Sequence, residues 1–136
     1  MEQLNVINFI EVTGIFERKI NLALNYVGLR MPHIKALGCL ERSGKITVSD
    51  LSRALVVTRA TTSVLIKQLI KARLVETIDN TADKRSHYLR LTELGLQRLE
   101  LARQEVSLVE EKISRRLDDD LIKTLNHVTK LIMEEL

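Results

Sequence analysis

Apolar residues recur at helical spacing over most of the chain, and the breaks in that rhythm mark its elements. From about Gln3 to Val27, the residues Ile7, Ile10, Ile15, Ile20, Leu24 and Val27 return at steps of three to five with no proline between them. Leu4, Val6, Phe9, Val12, Phe16 and Leu22 widen that stripe, giving a helix with more apolar surface than a small domain of its own can cover. Gly28 offers a C-cap and Pro32 sits where a new helix starts. Ile34, Leu37 and Leu40 form the inner edge of that second helix, which ends near Gly44.

Thr47-Val48-Ser49-Asp50 has the form of a capping box, with Asp a shorter partner than the ideal Glu or Gln. Leu51, Ala54 and Leu55 follow at helical spacing. The next helix opens at Thr58, whose hydroxyl can cap its first turn. Thr62, Leu65, Ile66 and Leu69 then share one face. Ala60, Ser63, Val64, Lys67, Gln68 and Lys71 take the opposite face, and Arg59 projects from the first turn. Leu74 to Ile78 and Ser86 to Leu91 read as the strands of a hairpin, with Asp79 to Arg85 as its polar tip. In the second strand His87, Leu89 and Leu91 alternate with Tyr88 and Arg90, and Lys45-Ile46-Thr47 can add a third short strand. Thr92 caps a long helix to about Leu117, in which Leu99, Val106 and Ile113 are spaced at seven residues. Asp118, Asp119 and Asp120 place negative charge where the dipole of a last helix favours it. Leu121, Leu125, Val128 and Ile132 form the stripe of that helix.

Length allows one compact domain with extensions, since the chain has 136 residues. With two Phe, two Tyr and no Trp, the core has to be aliphatic, and most of the four aromatics are expected inside it. The single cysteine excludes an intrachain disulfide and fits a reducing, cytoplasmic location. Cys39, between Leu37 and Leu40, reads as buried packing rather than as the accessible thiol of a redox sensor. No apolar run approaches the ~20 residues that span a bilayer. Met1-Glu2-Gln3-Leu4-Asn5 lacks the basic start of a secretory leader, so no membrane partner is expected. His33, His87 and His127 have no metal-ligand spacing, and no metal site is expected. There is no phosphate loop, nucleophile elbow or H-E-x-x-H motif. Neither catalytic residues nor a cofactor are therefore expected, and the chain is not read as an enzyme.

Charge sharpens the picture. The formal net charge is only +3, yet residues 53 to 90 carry eight Lys/Arg against three acids, while the remainder carries thirteen against fifteen. A basic middle between slightly acidic flanks is an electrostatic footprint for nucleic acid, although a solvated helix face has the same charge. Two short helices joined by a tight turn and followed by a polar-tipped hairpin describe a winged helix-turn-helix. The expected fold class is thus mainly α with a small β-hairpin wing (α+β), with N- and C-terminal dimerisation helices. The second helix of such a pair fits a major groove about 12 Å wide. A basic tip beside it can reach the adjacent minor groove, whose narrowness deepens the negative potential.

The run Gly44-Lys45-Ile46-Thr47-Val48-Ser49-Asp50-Leu51-Ser52-Arg53-Ala54-Leu55 resembles the second-to-third helix region of the MarR family of bacterial transcription regulators. Val57 to Ser63 continues the likeness, through Leu65, Leu69 and Leu74-Val75. Its strongest part is Asp83-Lys84-Arg85-Ser86 followed by Leu91-Thr92-Glu93-Leu94-Gly95, similar to the family's Asp-x-Arg wing tip and the Leu-Thr-x-x-Gly that opens its fifth helix. The resemblance runs from about Leu29 to Leu99. It implies a single domain over residues 1–136, with a winged-helix DNA-binding lobe at about 30–92 and dimerisation helices at 1–28 and 93–136. It also implies a homodimer, a pseudo-palindromic operator in double-stranded DNA, repression, and release by a small-molecule effector.

By that resemblance Thr58, Arg59, Ala60, Thr61, Ser63, Val64, Lys67 and Gln68 make the recognition helix. Arg59 is the choice for base-edge or phosphate contact, Lys67 for phosphate, and Gln68 for reading adenine. In the wing, Arg85 enters the minor groove, Asp83 orients it, and Lys84 lies between them. Phe16, Tyr26, Met31 and His33 are the candidate lining of an effector cleft. The chain departs from the family at four places. Val56 and Arg73 stand where glycine is common and where φ > 0 is needed, at a cost of ~1 kcal/mol. Val64 replaces a basic or polar residue and is expected to pack on thymine methyl groups. Thr77 replaces a basic residue at the wing base. The competing reading is a winged-helix module that binds a protein partner and not specific DNA.

Overall fold

The computed structural model describes residues 1–135. Its first helix, α1, is Val6–Ala23, shorter at both ends than the apolar period suggests. Asn5 sets the start, its side chain accepting the Asn8 N–H at 3.0 Å. At the other end the chain tightens into a 3-10 turn, Asn25–Val27, closed by Gly28 at φ 77°. Leu24, Val27 and Leu29 all enter the core around this turn. Gly28 therefore caps a 3-10 turn and not the α-helix itself.

Helix α2 is Met31–Ser43, with Pro32 in its first turn. A two-residue strand, β1 (Ile46–Thr47), leads into α3 (Val48–Leu55) and α4 (Arg59–Lys71). The hairpin strands β2 (Val75–Asp79) and β3 (His87–Leu91) precede α5 (Glu93–Ser114) and α6 (Asp119–Glu135). The expected caps are in place. Thr47 accepts the Asp50 N–H at 3.1 Å, Thr58 the Thr61 N–H at 3.1 Å and Thr92 the Gly95 N–H at 2.9 Å. The Asp118 carboxylate accepts the Leu121 N–H at 2.8 Å. The sheet is antiparallel with strand order β1-β3-β2, and Leu89 pairs with Ile46 on one side and Thr77 on the other. The fold is therefore mainly α with a small three-stranded wing, as expected.

Leu24, Leu37, Leu40, Leu51, Leu69, Leu74, Leu89 and Leu99 are fully buried and bring every element from α2 to α5 to one core. Cys39 is buried among them. The aromatics are not, which corrects the expectation above. Phe9, Phe16 and Tyr26 are exposed and Tyr88 is half-buried; Phe9 and Phe16 lie on α1, whose apolar surface is wider than the core of the chain covers. Neither α1 nor α6 has a buried residue.

One junction joins the wing to α5. The Thr92 hydroxyl donates to the Arg73 carbonyl at 2.7 Å, and the Thr92 N–H donates to the Leu74 carbonyl at 3.1 Å. Gly95 then lies so close that an added Cβ would stand 2.0 Å from the Leu74 carbonyl oxygen. The Leu-Thr-x-x-Gly pattern is thus a backbone-to-backbone contact between α5 and the entry to β2.

Candidate nucleic-acid interface

The turn between α3 and α4 closes with Val56 in the left-handed region, at φ 57° and ψ 44°. Arg73 follows suit after α4, at φ 63°. These are the only positive-φ residues other than glycine among those described, and they occupy the two positions expected to need that conformation. Thr62, Leu65, Ile66 and Leu69 anchor α4 in the core. The buried Thr62 hydroxyl is satisfied by donating to the Thr58 carbonyl at 3.1 Å. Fixing that face leaves Arg59, Ala60, Val64, Lys67 and Gln68 exposed, with Ser63 half-buried; Val64 is 58% exposed.

The wing tip is shaped from within. Asn80 accepts the Ala82 and Asp83 N–H groups at 3.1 and 3.3 Å and donates to the Ser86 hydroxyl at 3.0 Å. The Asp83 carboxylate accepts the Arg85 N–H at 3.0 Å, and the Arg85 Nε lies 3.8 Å from it. Asp83 therefore orders the tip through the backbone, while the Arg85 side chain remains 97% exposed. Across the strands, Arg90 donates to Glu76 at 2.6 Å and ties the hairpin together.

Helix and wing face each other over a groove of about 270 Å³. Arg59, Ser63 and Lys67 line it from α4, and Arg85, Ser86 and His87 from the wing. No carboxylate lines it. Arg59, Lys67, Lys71, Arg73 and Lys84 have no ion-pair partner among the described residues, whereas Arg53 is held by Asp50. The Asp50 carboxyl is held below its ordinary range, first by hydrogen bonding to the Thr47 side chain and further by Arg53. Three cations of the basic middle, Arg59, Lys67 and Arg85, thus meet in one groove, and most of the others in that segment have no ion-pair partner among the described residues. That arrangement can neutralise phosphates and present hydrogen-bond donors to base edges.

The four residues expected to line a cleft are not gathered in one. A groove of about 680 Å³ between α1 and the start of α2 is lined by Glu17, Arg18, Asn21, Arg30 and His33, among others, but not by Phe16, Tyr26 or Met31. Phe16 is exposed on α1. The Tyr26 hydroxyl donates to Glu105 at 2.5 Å, a bond that raises the phenol's pKa above its ordinary value. The Met31 N–H donates to the Asn21 side chain at 2.9 Å. His33 instead reaches Gln68 of α4, a contact across 35 positions with no local signal in the sequence. Ser86 and His87 are further groove residues that sequence reasoning passed over, although their place beside Arg85 at the start of β3 points to them.

A model of the MarR family matches residues 27–86. Over 125 residues the chain is 22% identical to the HTH-type transcriptional repressor IacR of Pseudomonas putida, covering 92% of this chain and 75% of that protein. Among solved structures, the reduced form of MarR from E. coli superposes with a TM-score of 0.85 at 23% identity, covering 97% of this chain and 98% of that one. A cysteine-to-serine mutant of the same protein complexed with operator DNA gives 0.82 at 22% identity, over 97% and 99% of the two chains. The S. aureus MepR–DNA complex gives 0.81 at 20% identity, over 99% and 100%. By its helices, turn and hairpin the chain is a winged helix-turn-helix protein. Its winged-helix lobe is similar to the MarR family.

Proposed function

We propose that the chain is a sequence-specific, homodimeric transcription regulator that binds a pseudo-palindromic operator in double-stranded DNA and represses by occluding it. The observation that carries this reading is the groove in which Arg59, Lys67 and Arg85 meet with no carboxylate among its lining. In this reading Arg59, with Thr58, Ala60, Thr61, Ser63 and Val64, enters the major groove, while Arg85 probes the adjacent minor groove from a tip shaped by Asp83 and flanked by Lys84. Residues about 30–92 form the DNA-binding lobe, and 1–28 with 93–136 form the dimerisation helices; Leu136 lies outside the described residues. The two recognition helices then sit about 34–36 Å apart, one turn of duplex. The chain acts by binding rather than by catalysis, and an effector entering between α1 and α2 meets His33 rather than an aromatic cage.

Arg85→Ala tests the reading. Its side chain packs against nothing, so the variant keeps the wild-type fold while operator affinity falls by at least about tenfold, from a loss of about 1–3 kcal/mol per contact in each protomer. Fluorescence anisotropy with duplex from the region flanking the protein's own gene measures it. Unchanged affinity for DNA would remove Arg85 from the interface and favour a protein-binding module instead.

A further inference from the structure

One side-chain hydrogen bond among the described residues links α4 to α2. His33, in the first turn of α2, places Nδ1 3.0 Å from the backbone nitrogen of Arg30 and Nε2 2.9 Å from Oε1 of Gln68. A backbone N–H only donates, so Nδ1 supplies its lone pair, and the proton of the neutral ring sits on Nε2. Nε2 then donates, and only the carbonyl end of the Gln68 amide can accept. The two contacts together dictate the amide's orientation. Its oxygen is turned to α2, and its NH2 keeps both hydrogens free of protein partners among the described residues. The half-buried imidazole is held at both nitrogens and cannot rotate without breaking one of these bonds.

We propose, on the reading of α4 as the helix that enters the major groove, that His33 is a positioning residue for sequence specificity. It presents Gln68 to DNA as a hydrogen-bond donor, so the base edge opposite must offer an acceptor. An unrestrained glutamine amide turns either end to a base. With the carbonyl held by His33, the NH2 meets guanine N7 and O6, adenine N7 or thymine O4 favourably. Cytosine shows the major groove only its N4 amino donor, and donor against donor leaves both unpaired. Cytosine is the base this pair excludes, which replaces the adenine-reading role expected for Gln68 with a broader demand for an acceptor.

Selection of bound duplexes from a randomised pool by the full-length chain, followed by sequencing, provides the test. The wild-type motif should contain one position per half-site at which cytosine is disfavoured by at least about fivefold. His33→Ala and Gln68→Ala should each lose that discrimination with the rest of the motif unchanged, and His33→Gln, whose amide can donate to Oε1, should restore part of it. A wild-type motif that nowhere excludes cytosine overturns the inference, as does a His33→Ala or Gln68→Ala motif identical to the wild type. Gln68 is exposed, so its variant carries the test even where His33→Ala folds poorly. These outcomes leave the DNA-binding reading intact. That reading fails instead where the wild-type chain enriches no sequence, and it takes the inference with it. Nitrogen-15 NMR of the free protein gives a separate check, since a His33 ring proton on Nδ1 rather than Nε2 would also overturn the arrangement.

Discussion

Val56 carries a conformational burden that its chemistry does nothing to offset. A left-handed backbone costs an L-residue about 1–2 kcal/mol, and branching at Cβ makes valine a poor occupant. The side chain is 88% exposed and gains almost no packing in return. Val56→Gly should therefore stabilise the protein by about 0.5–1 kcal/mol, after glycine's greater freedom in the unfolded chain has taken back part of the relief. A higher urea midpoint at unchanged slope would show it; a lower midpoint would mean that Val56 is not strained. The positive φ at Val56 and Arg73 could be anticipated only through the resemblance, because neither residue type signals it. His33 marks the opposite limit. Its partner lies on another helix, and no spacing rule links two side chains brought together by tertiary packing.

Elements were more readable than contacts. Thr47, Thr58 and Thr92 each cap the helix they were expected to cap, since capping is decided within four residues, and Asp118, expected only for its charge, caps the last helix as well. The C-terminal end of the first helix is less legible. The apolar period runs on through Leu24 and Val27, but burying them with Leu29 required a tighter turn that the pattern alone does not reveal. The exposed cations of α4 and the wing tip are legible in the sequence, because on α4 they oppose a clear buried face and at the tip they sit in a polar turn. The cleft residues were not brought together, since they were chosen by type and segment without a periodic signal. At the junction of wing and α5, the pattern was visible in sequence and its cause only in three dimensions. Gly95→Ala would drive a methyl into the Leu74 carbonyl, a contact with backbone that cannot swing aside. A loss of about 2–3 kcal/mol is expected from such overpacking, read as a lowered denaturation midpoint. Wild-type stability would show that α5 can shift away from β2 at little cost.

At the scale of the whole molecule, the apolar surface of α1 and α6 remains to be covered. Val6, Ile7, Ile10, Val12 and Ile15 on one helix, and Leu121, Leu125, Val128 and Leu131 on the other, stand in solvent in a single protomer. So large a display is costly for a monomer and ordinary for half of a dimer interface. Leu125→Lys separates the two cases. On a monomer it is a surface change worth within about 0.5 kcal/mol, whereas in a dimer it buries an unpaired ammonium. Sedimentation should find the wild type as a dimer and the variant as a monomer with lost operator affinity. A variant that still sediments as a dimer would move the interface elsewhere. Because Thr92 and Gly95 weld the foot of the hairpin to α5, the 22-residue helix behaves as a lever about 33 Å long. A tilt of about 5° at its distal end swings the foot of the hairpin by about 3 Å, comparable to a single base-pair rise in the duplex. If two copies join through α1 and α6 as proposed, small adjustments where they meet would be magnified into a change of register at the far tip.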